Sequence, residues 1–143
     1  MKAPNSRGTE TGAAIIESAI TLLSFLVLLF GMMEVGRFLN VQQVLTDAAR
    51  EGARVAVAPI TRTDTMATDE EIRAATQQFL DSARLRDTTI SIERPVLVPT
   101  GAISTEFTRV RVTMDYQVMT LPMFSALHTT IAGEALMRNE TSP

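Results

Sequence analysis

AAIIESAITLLSFLVLLFGMM, residues 13–33, is the stretch that decides the fold of this chain. Apart from Glu17 it carries no charge, and as a helix it would be roughly 30 Å long, which matches the hydrocarbon core of a bilayer. A helix buried in a soluble protein of this size would rarely be apolar on every side over that length. The stretch therefore predicts a transmembrane helix at residues 13–33.

The helix is expected to continue past the membrane to about Ala58. Residues 34–58 gain polar side chains but keep an apolar stripe near the helical period, and no proline interrupts them before Pro59. We therefore expect one long helix whose first half lies in lipid and whose second half is amphipathic and lies outside it. Residues 1–12 are polar, contain glycine and proline, and predict a disordered tail.

The rest of the chain, residues 59–143, predicts a small extramembrane domain. A polar loop follows Pro59, and Thr68 with Glu71 three residues later forms a capping-box pattern. This pattern predicts a second helix from Asp69 to about Leu85. The fold class predicted for the whole chain is therefore α+β, because the segments that follow change to a period of two.

Three strands are expected after this helix. Residues 89–93 alternate and are closed by Pro95, residues 109–118 alternate most cleanly, and residues 129–138 form a last, less regular strand. Alternation requires one buried face and one wet face. We expect a small antiparallel sheet whose apolar face is covered by the amphipathic half of the long helix, with the second helix beside it.

Composition excludes several classes of function. The chain has a formal net charge of −3, no basic run and no cysteine, so nothing indicates a nucleic-acid partner, a disulfide or a thiolate site. His128 is the only histidine and has no second ligand residue at metal spacing. Serines and threonines lack a His/Asp partner set, and no Gly-rich phosphate loop is present. We expect no enzyme activity, no metal and no cofactor.

The junction between Gly12 and Glu17 carries the sharpest functional signal. An ionised carboxylate within an apolar membrane helix is costly unless it is paired, neutralised or close to the interface. One interpretation is that Glu17 simply reaches the headgroups, since it lies about 6 Å from the start of the apolar run. The other is that a cut between Gly12 and Ala13 creates an ammonium group with which Glu17 of a neighbouring subunit pairs.

Gly12 followed by AAIIE resembles a type IV prepilin cleavage site. Over roughly residues 11–57 the chain also resembles the TadE-like proteins of the tight-adherence pilus system. These proteins have a glycine, small residues and a glutamate at the start of an apolar helix, followed by an AAREGAR-like stretch. That stretch consists here of Ala48, Ala49, Arg50, Glu51, Gly52, Ala53 and Arg54.

The resemblance implies a pilin-like protein that acts in pilus assembly, adhesion and biofilm formation. Prepilin peptidase would remove residues 1–12 as a leader. The helix would anchor the chain in the bacterial inner membrane with its N-terminus cytoplasmic and its domain periplasmic, or within the pilus. The major pilin, other minor pilins and the pilus assembly platform would be its partners. Ser18 stands where major pilins of this system usually carry an aromatic residue, and the longer chain also favours a minor pilin or assembly factor.

The AAREGAR stretch also has a direct physical interpretation. Its small residues recur at helical spacing and let another element approach closely, while Asp47 with Arg50 and Glu51 with Arg54 are i,i+3 ion pairs. The sequence leaves open whether the small residues pack within their own domain, form a subunit contact, or do both. The charged residues predict a solvated face.

Three other functions compete with the pilus interpretation. The chain could be a pseudopilin of a type II secretion-like system, or a single-span tether for a periplasmic sensor or binding module. It could also be a secreted soluble domain whose apolar run is a signal peptide. The last is disfavoured because residues 13–33 exceed a signal-peptide h-region in length and no well-placed cleavage site follows them.

Overall fold

A computed structural model describes residues 7–60, 65–100, 103–118 and 128–139. Within these ranges two helices and five strands follow one another: α1 (Arg7–Val57), β1 (Pro59–Ile60), β2 (Thr65–Met66), α2 (Asp69–Ser82), β3 (Thr88–Thr100), β4 (Ile103–Gln117) and β5 (His128–Arg138). The fold is α+β, with a long N-terminal helix, one more helix and an antiparallel sheet of three strands, as predicted.

Helix α1 begins before the predicted Ala13. Residues 7–12 are helical, so the prediction of a disordered tail is wrong for them, and residues 1–6 lie outside the described residues. Adding a turn to an existing helix needs no new nucleus, so even the weak helix formers in this segment continue a helix that the apolar run has established. The helix ends at Val57, two residues before Pro59.

Packing contacts divide the chain into two compact units, Met1–Arg37 and Phe38–Pro143. In the first unit, the apolar side chains of α1 are exposed, as Ile15, Leu23 and Met32 illustrate. By length and composition this helix can span a membrane, and none of its most apolar window is buried.

The second unit is built on a three-stranded sheet with the order β3-β4-β5, in which both pairs of neighbouring strands are antiparallel. Alternation along β4 follows the prediction: Val110, Val112 and Tyr116 are buried, while Arg111 and Asp115 are exposed. Strand β4 is longer than predicted, because it starts at Ile103 and forms a hairpin with β3.

Strand β3 does not end at Pro95, and that prediction is wrong. The register between β3 and β4 shifts between Glu93 and Val96, and pairing resumes at Val96 opposite Phe107. A bulge at an edge strand accommodates a proline because the missing N–H faces no partner strand. Strands β1 and β2 pair over two residues each, and β2 lies within the segment predicted as a loop.

The predicted cover of the sheet is confirmed within the second unit. Residues of α1 from Leu45 onward share one buried core with the inner faces of β4 and β5 and with α2, and its members are Leu45, Ala48, Ala49, Ala53, Ala56, Ala67, Ile72, Leu80, Val110, Val112, Tyr116, Ile131 and Ala135. Phe38 adds an edge-to-face contact with Tyr116, with ring centroids 5.6 Å apart.

Helix α2 is fixed at its start by local hydrogen bonds and by an arginine of β3. At its start the hydroxyl of Thr68 accepts from the amide of Glu71, and the Glu71 carboxylate accepts from the amide of Thr68, as the capping-box prediction requires. Arg94 of β3 donates to the carbonyl of Ala67 at 2.7 Å and pairs with Asp69. This arginine therefore ties the first turn of α2 to the sheet.

Candidate functional site

Gly12 and Ala13, the predicted cleavage positions, lie inside α1 rather than at its end. Both are exposed, and the helix runs through them without interruption. A Cβ atom added to Gly12 would meet nothing within 4 Å, so packing does not require glycine at this position. Its backbone is helical, so no unusual torsion requires glycine either.

Glu17 lies one turn after Ala13 on the same helix and is exposed. Side chains of a helix tilt toward its N-terminus, so the Glu17 carboxylate reaches back over the turn that contains Ala13 and Ala14. The adjacent Ser18 bonds within its own helix, because its hydroxyl donates to the carbonyl of Ala14 at 2.8 Å. Both side chains are exposed, but only Glu17 carries a charge that a neighbouring molecule could pair with.

The AAREGAR segment separates into two faces. On one face, Ala48, Ala49 and Ala53 have no exposed surface, and all three lie in the core of the second unit. Gly52 lies between them, where α1 closely approaches α2 and β4. A Cβ atom on Gly52 would collide with the hydroxyl of Thr76 and would lie 3.3 Å from Cγ1 of Val110.

The other face of the segment carries the ion pairs. Arg50 bonds to Asp47 at 3.0 Å, and Nε of Arg54 donates to Glu51 at 3.0 Å. The hydrogen bond from Arg54 lowers the pKa of the Glu51 carboxyl and raises the pKa of the Arg54 guanidinium. These side chains remain accessible to solvent, so exposed pairs of this kind add little stability.

The small residues of the AAREGAR segment pack within their own domain, which was one of the two alternatives considered for them. The small residues are occupied by contacts with β4, β5 and α2 of the same chain. Their surface is therefore not free for another subunit while the domain is folded. Only the charged face, with Arg50 and Arg54, is available to a partner.

One residue that positions this segment was not anticipated from the sequence. Gly133 of β5 lies against the main chain of α1, and a Cβ atom there would collide with the backbone of Leu45 and Thr46. A glycine in the interior of a strand often marks such a close approach, so this signal was present in the sequence.

No metal centre is found in the residues that the structure describes, where no group of three or more His, Cys, Asp or Glu side chains converges. His128 lies at the start of β5, exposed, with Nδ1 3.2 Å from the carboxylate of Asp115. The grooves of the second unit are shallow. One of about 350 Å³ lies between β2 and the bulged part of β3, next to Thr68, Arg94 and Asn139.

Part of the chain matches a known protein family. Residues 12–54 match the family model described as "TadE-like protein". The chain has no significant match among curated proteins or among solved structures. The matched residues begin at Gly12 and end at Arg54, so they include both the candidate processing site and the whole AAREGAR segment. Over residues 12–54, which lie in its long N-terminal helix, the chain is therefore similar to TadE-like proteins.

Proposed function

We propose that this chain is a minor pilin or pilus-biogenesis protein of the Tad (tight-adherence) system. Prepilin peptidase cuts it after Gly12, and the mature chain acts in pilus assembly and thereby in adhesion and biofilm formation. It is anchored in the inner membrane, with the leader in the cytoplasm and the α+β domain in the periplasm. Its partners are the major pilin, other minor pilins and the assembly platform.

The observation that carries the proposal is the course of α1 through Gly12 and Glu17. In an α-helix each N–H donates to the carbonyl four residues earlier, so the amides of residues 13–16 depend on the carbonyls of residues 9–12. A cut after Gly12 removes those four carbonyls. It leaves an ammonium group and three free amides at the start of the mature helix.

A carboxylate is the complement of such a terminus. The free amides and the helix dipole together favour a negative charge, and the ammonium group adds a full positive charge. Glu17 is exposed on α1 and carries the charge closest to this terminus on the mature chain. In a bundle of such helices, the Glu17 carboxylate of a neighbouring subunit would neutralise the charge of the new terminus. The attraction between the two charges would offset the free-energy cost of removing the carboxylate from water.

Processing is tested by N-terminal sequencing and intact mass of the chain extracted from membranes that contain an active prepilin peptidase. The expected mature chain starts at Ala13, and Gly12→Asp abolishes the cut. Thr9→Asp is the matched control, because it adds the same charge to the same tail, leaves Gly12 in place and changes helix propensity little. A full-length wild-type chain under these conditions would contradict the proposal and favour a membrane-tethered module.

The pairing role of Glu17 is tested separately from processing. Glu17→Ala should be cut after Gly12 but should yield few assembled pili, counted by electron microscopy or by shearing. Ser18→Ala is the control, because the hydroxyl of Ser18 bonds to its own helix. Normal piliation with Glu17→Ala would show that the carboxylate has no part in assembly.

A further inference from the structure

The helix must open before the bond after Gly12 can be cut. Proteases bind an extended backbone, whereas residues 7–12 and the residues that follow are helical. The hydrogen bonds that span this peptide bond join carbonyls of residues 9–12 to amides of residues 13–16. The substrate conformation therefore costs the free energy of unwinding the first turns of α1.

The residues on the two sides of this bond differ sharply in helix propensity. On the leader side the described helix contains Gly8, Thr9, Thr11 and Gly12, which are weak helix formers. On the other side Ala13 and Ala14 are the strongest formers, and the apolar run follows. Within lipid no water can replace an opened backbone hydrogen bond, so unwinding is resisted beyond this point.

Packing does not explain the glycine at position 12. The space around Gly12 is open, in contrast to Gly52 and Gly133, where a Cβ atom would collide with a neighbour. The effect that remains for Gly12 is on the stability of the helix itself, and Gly8 lies one turn before it in the same helix.

We infer that residues 7–12 form a labile helical turn whose unwinding sets the rate of processing, and that Gly8 controls this rate from four residues upstream of the cut. This inference rests on the proposed cleavage after Gly12. It assigns to the leader a conformational role that is separate from recognition of Gly12 by the protease. Unwinding that proceeds from the leader side stops at Ala13, so the labile turn ends at the bond that is cut.

The test compares initial rates of cleavage of the full-length chain in membranes with prepilin peptidase. Gly8→Ala should slow cleavage about five-fold, which is the Gly-to-Ala difference in helix propensity of about 1 kcal/mol expressed as a rate. Thr9→Gly changes the propensity in the opposite direction and should leave the rate equal to the wild type or higher. Gly36→Ala is the matched control, because Gly36 lies in the same helix with equally open surroundings but far from the cut.

A second measurement separates helix stability from side-chain recognition. Amide hydrogen exchange of residues 8–12 should slow in Gly8→Ala and quicken in Thr9→Gly, in parallel with the change in cleavage. Equal cleavage rates for Gly8→Ala and the wild type would overturn the inference, as would slowing by both substitutions. A wild-type chain that is not cut at all would instead contradict the proposed function.

Discussion

The α-carbon of Gly133 in β5 lies against the main chain of Leu45 in α1, leaving no room for a Cβ atom between the strand and the helix. Both residues are buried, Leu45 completely. Backbone atoms cannot move aside as a flexible side chain can, so this contact fixes the distance between the helix and the edge of the sheet.

Gly133→Ala is expected to destabilise the domain by about 3 kcal/mol, because the added methyl group forces the helix and the strand apart. The measurement is the thermal unfolding of the full-length protein in detergent. Gly36→Ala provides the control, since a methyl group there meets nothing within 4 Å. Equal melting temperatures for Gly133→Ala and the wild type would mean that the helix does not rest on β5 at this point.

Gly52 and Thr76 are expected to be coupled. Gly52→Ala raises helix propensity, yet the new methyl group collides with the hydroxyl of Thr76, which itself donates to the carbonyl of Ile72 at 2.8 Å. We expect a net loss of about 1–3 kcal/mol for the single substitution. The double variant Gly52→Ala/Thr76→Ala should recover part of this loss, and a double-mutant cycle of melting temperatures measures the coupling. Strictly additive effects would contradict the close approach of α1 to α2.

Arg84 should be replaceable by glycine with a gain in stability. It follows α2 with a φ of 59°, and the amide of Leu85 donates to the carbonyl of Leu80 at 3.0 Å, which closes the end of the helix in a Schellman motif. A side chain at this left-handed position costs about 1 kcal/mol relative to glycine. Arg84→Gly should therefore raise the melting temperature, whereas Arg86→Gly, the control two residues later, should not.

Glu71 makes the stability of α2 depend on pH. Hydrogen bonds from the amide and the hydroxyl of Thr68 lower the pKa of the Glu71 carboxyl below its ordinary value of 4.5. A depressed pKa in the folded state means that the contribution of this group is complete above pH 4.5 and is lost as the pH falls through the folded value.

The prediction for Glu71→Ala is a loss of thermal stability at pH 7 that shrinks as the pH falls below 4.5, because the wild type then loses the same interaction. Melting temperatures of both proteins across this range provide the measurement. Glu70→Ala is the control, as its side chain has no part in the capping box. A difference between Glu71→Ala and wild type that stays constant with pH would exclude an ionised Glu71 as its source.

Much of the fold could be predicted from local patterns. The capping box of α2 and the alternation of β4 are properties of neighbouring residues, and the structure has both where the sequence indicated them. The course of β3 past Pro95 could not be predicted in this way, because it depends on β4 continuing to pair across the bulge from Phe107 to Ile103. Tertiary pairing overrides the local signal of a proline there.

In the candidate site, too, some features could be predicted from neighbouring residues, whereas others depend on tertiary contacts. Gly12, Ala13 and Glu17 were found from their order along the chain, and the structure adds that all three belong to one uninterrupted helix. The roles of Gly52 and Gly133 depend on which element faces them, Thr76 of α2 in one case and Leu45 of α1 in the other. A single sequence does not contain those distances, although both glycines stand in element interiors where glycine is unfavourable.

The contact of Leu45 with Gly133 also sets an order of events during synthesis. Leu45 leaves the ribosome long before the residues of β5, the last of the described strands, yet the two meet in the finished core. The apolar face of α1 therefore stays exposed until almost the whole domain has been translated. A core that needs contacts between residues so far apart in sequence forms late and slowly. By length and composition the first part of α1 can span a membrane, and such an anchor would tether this apolar face and limit its encounters with other unfinished chains.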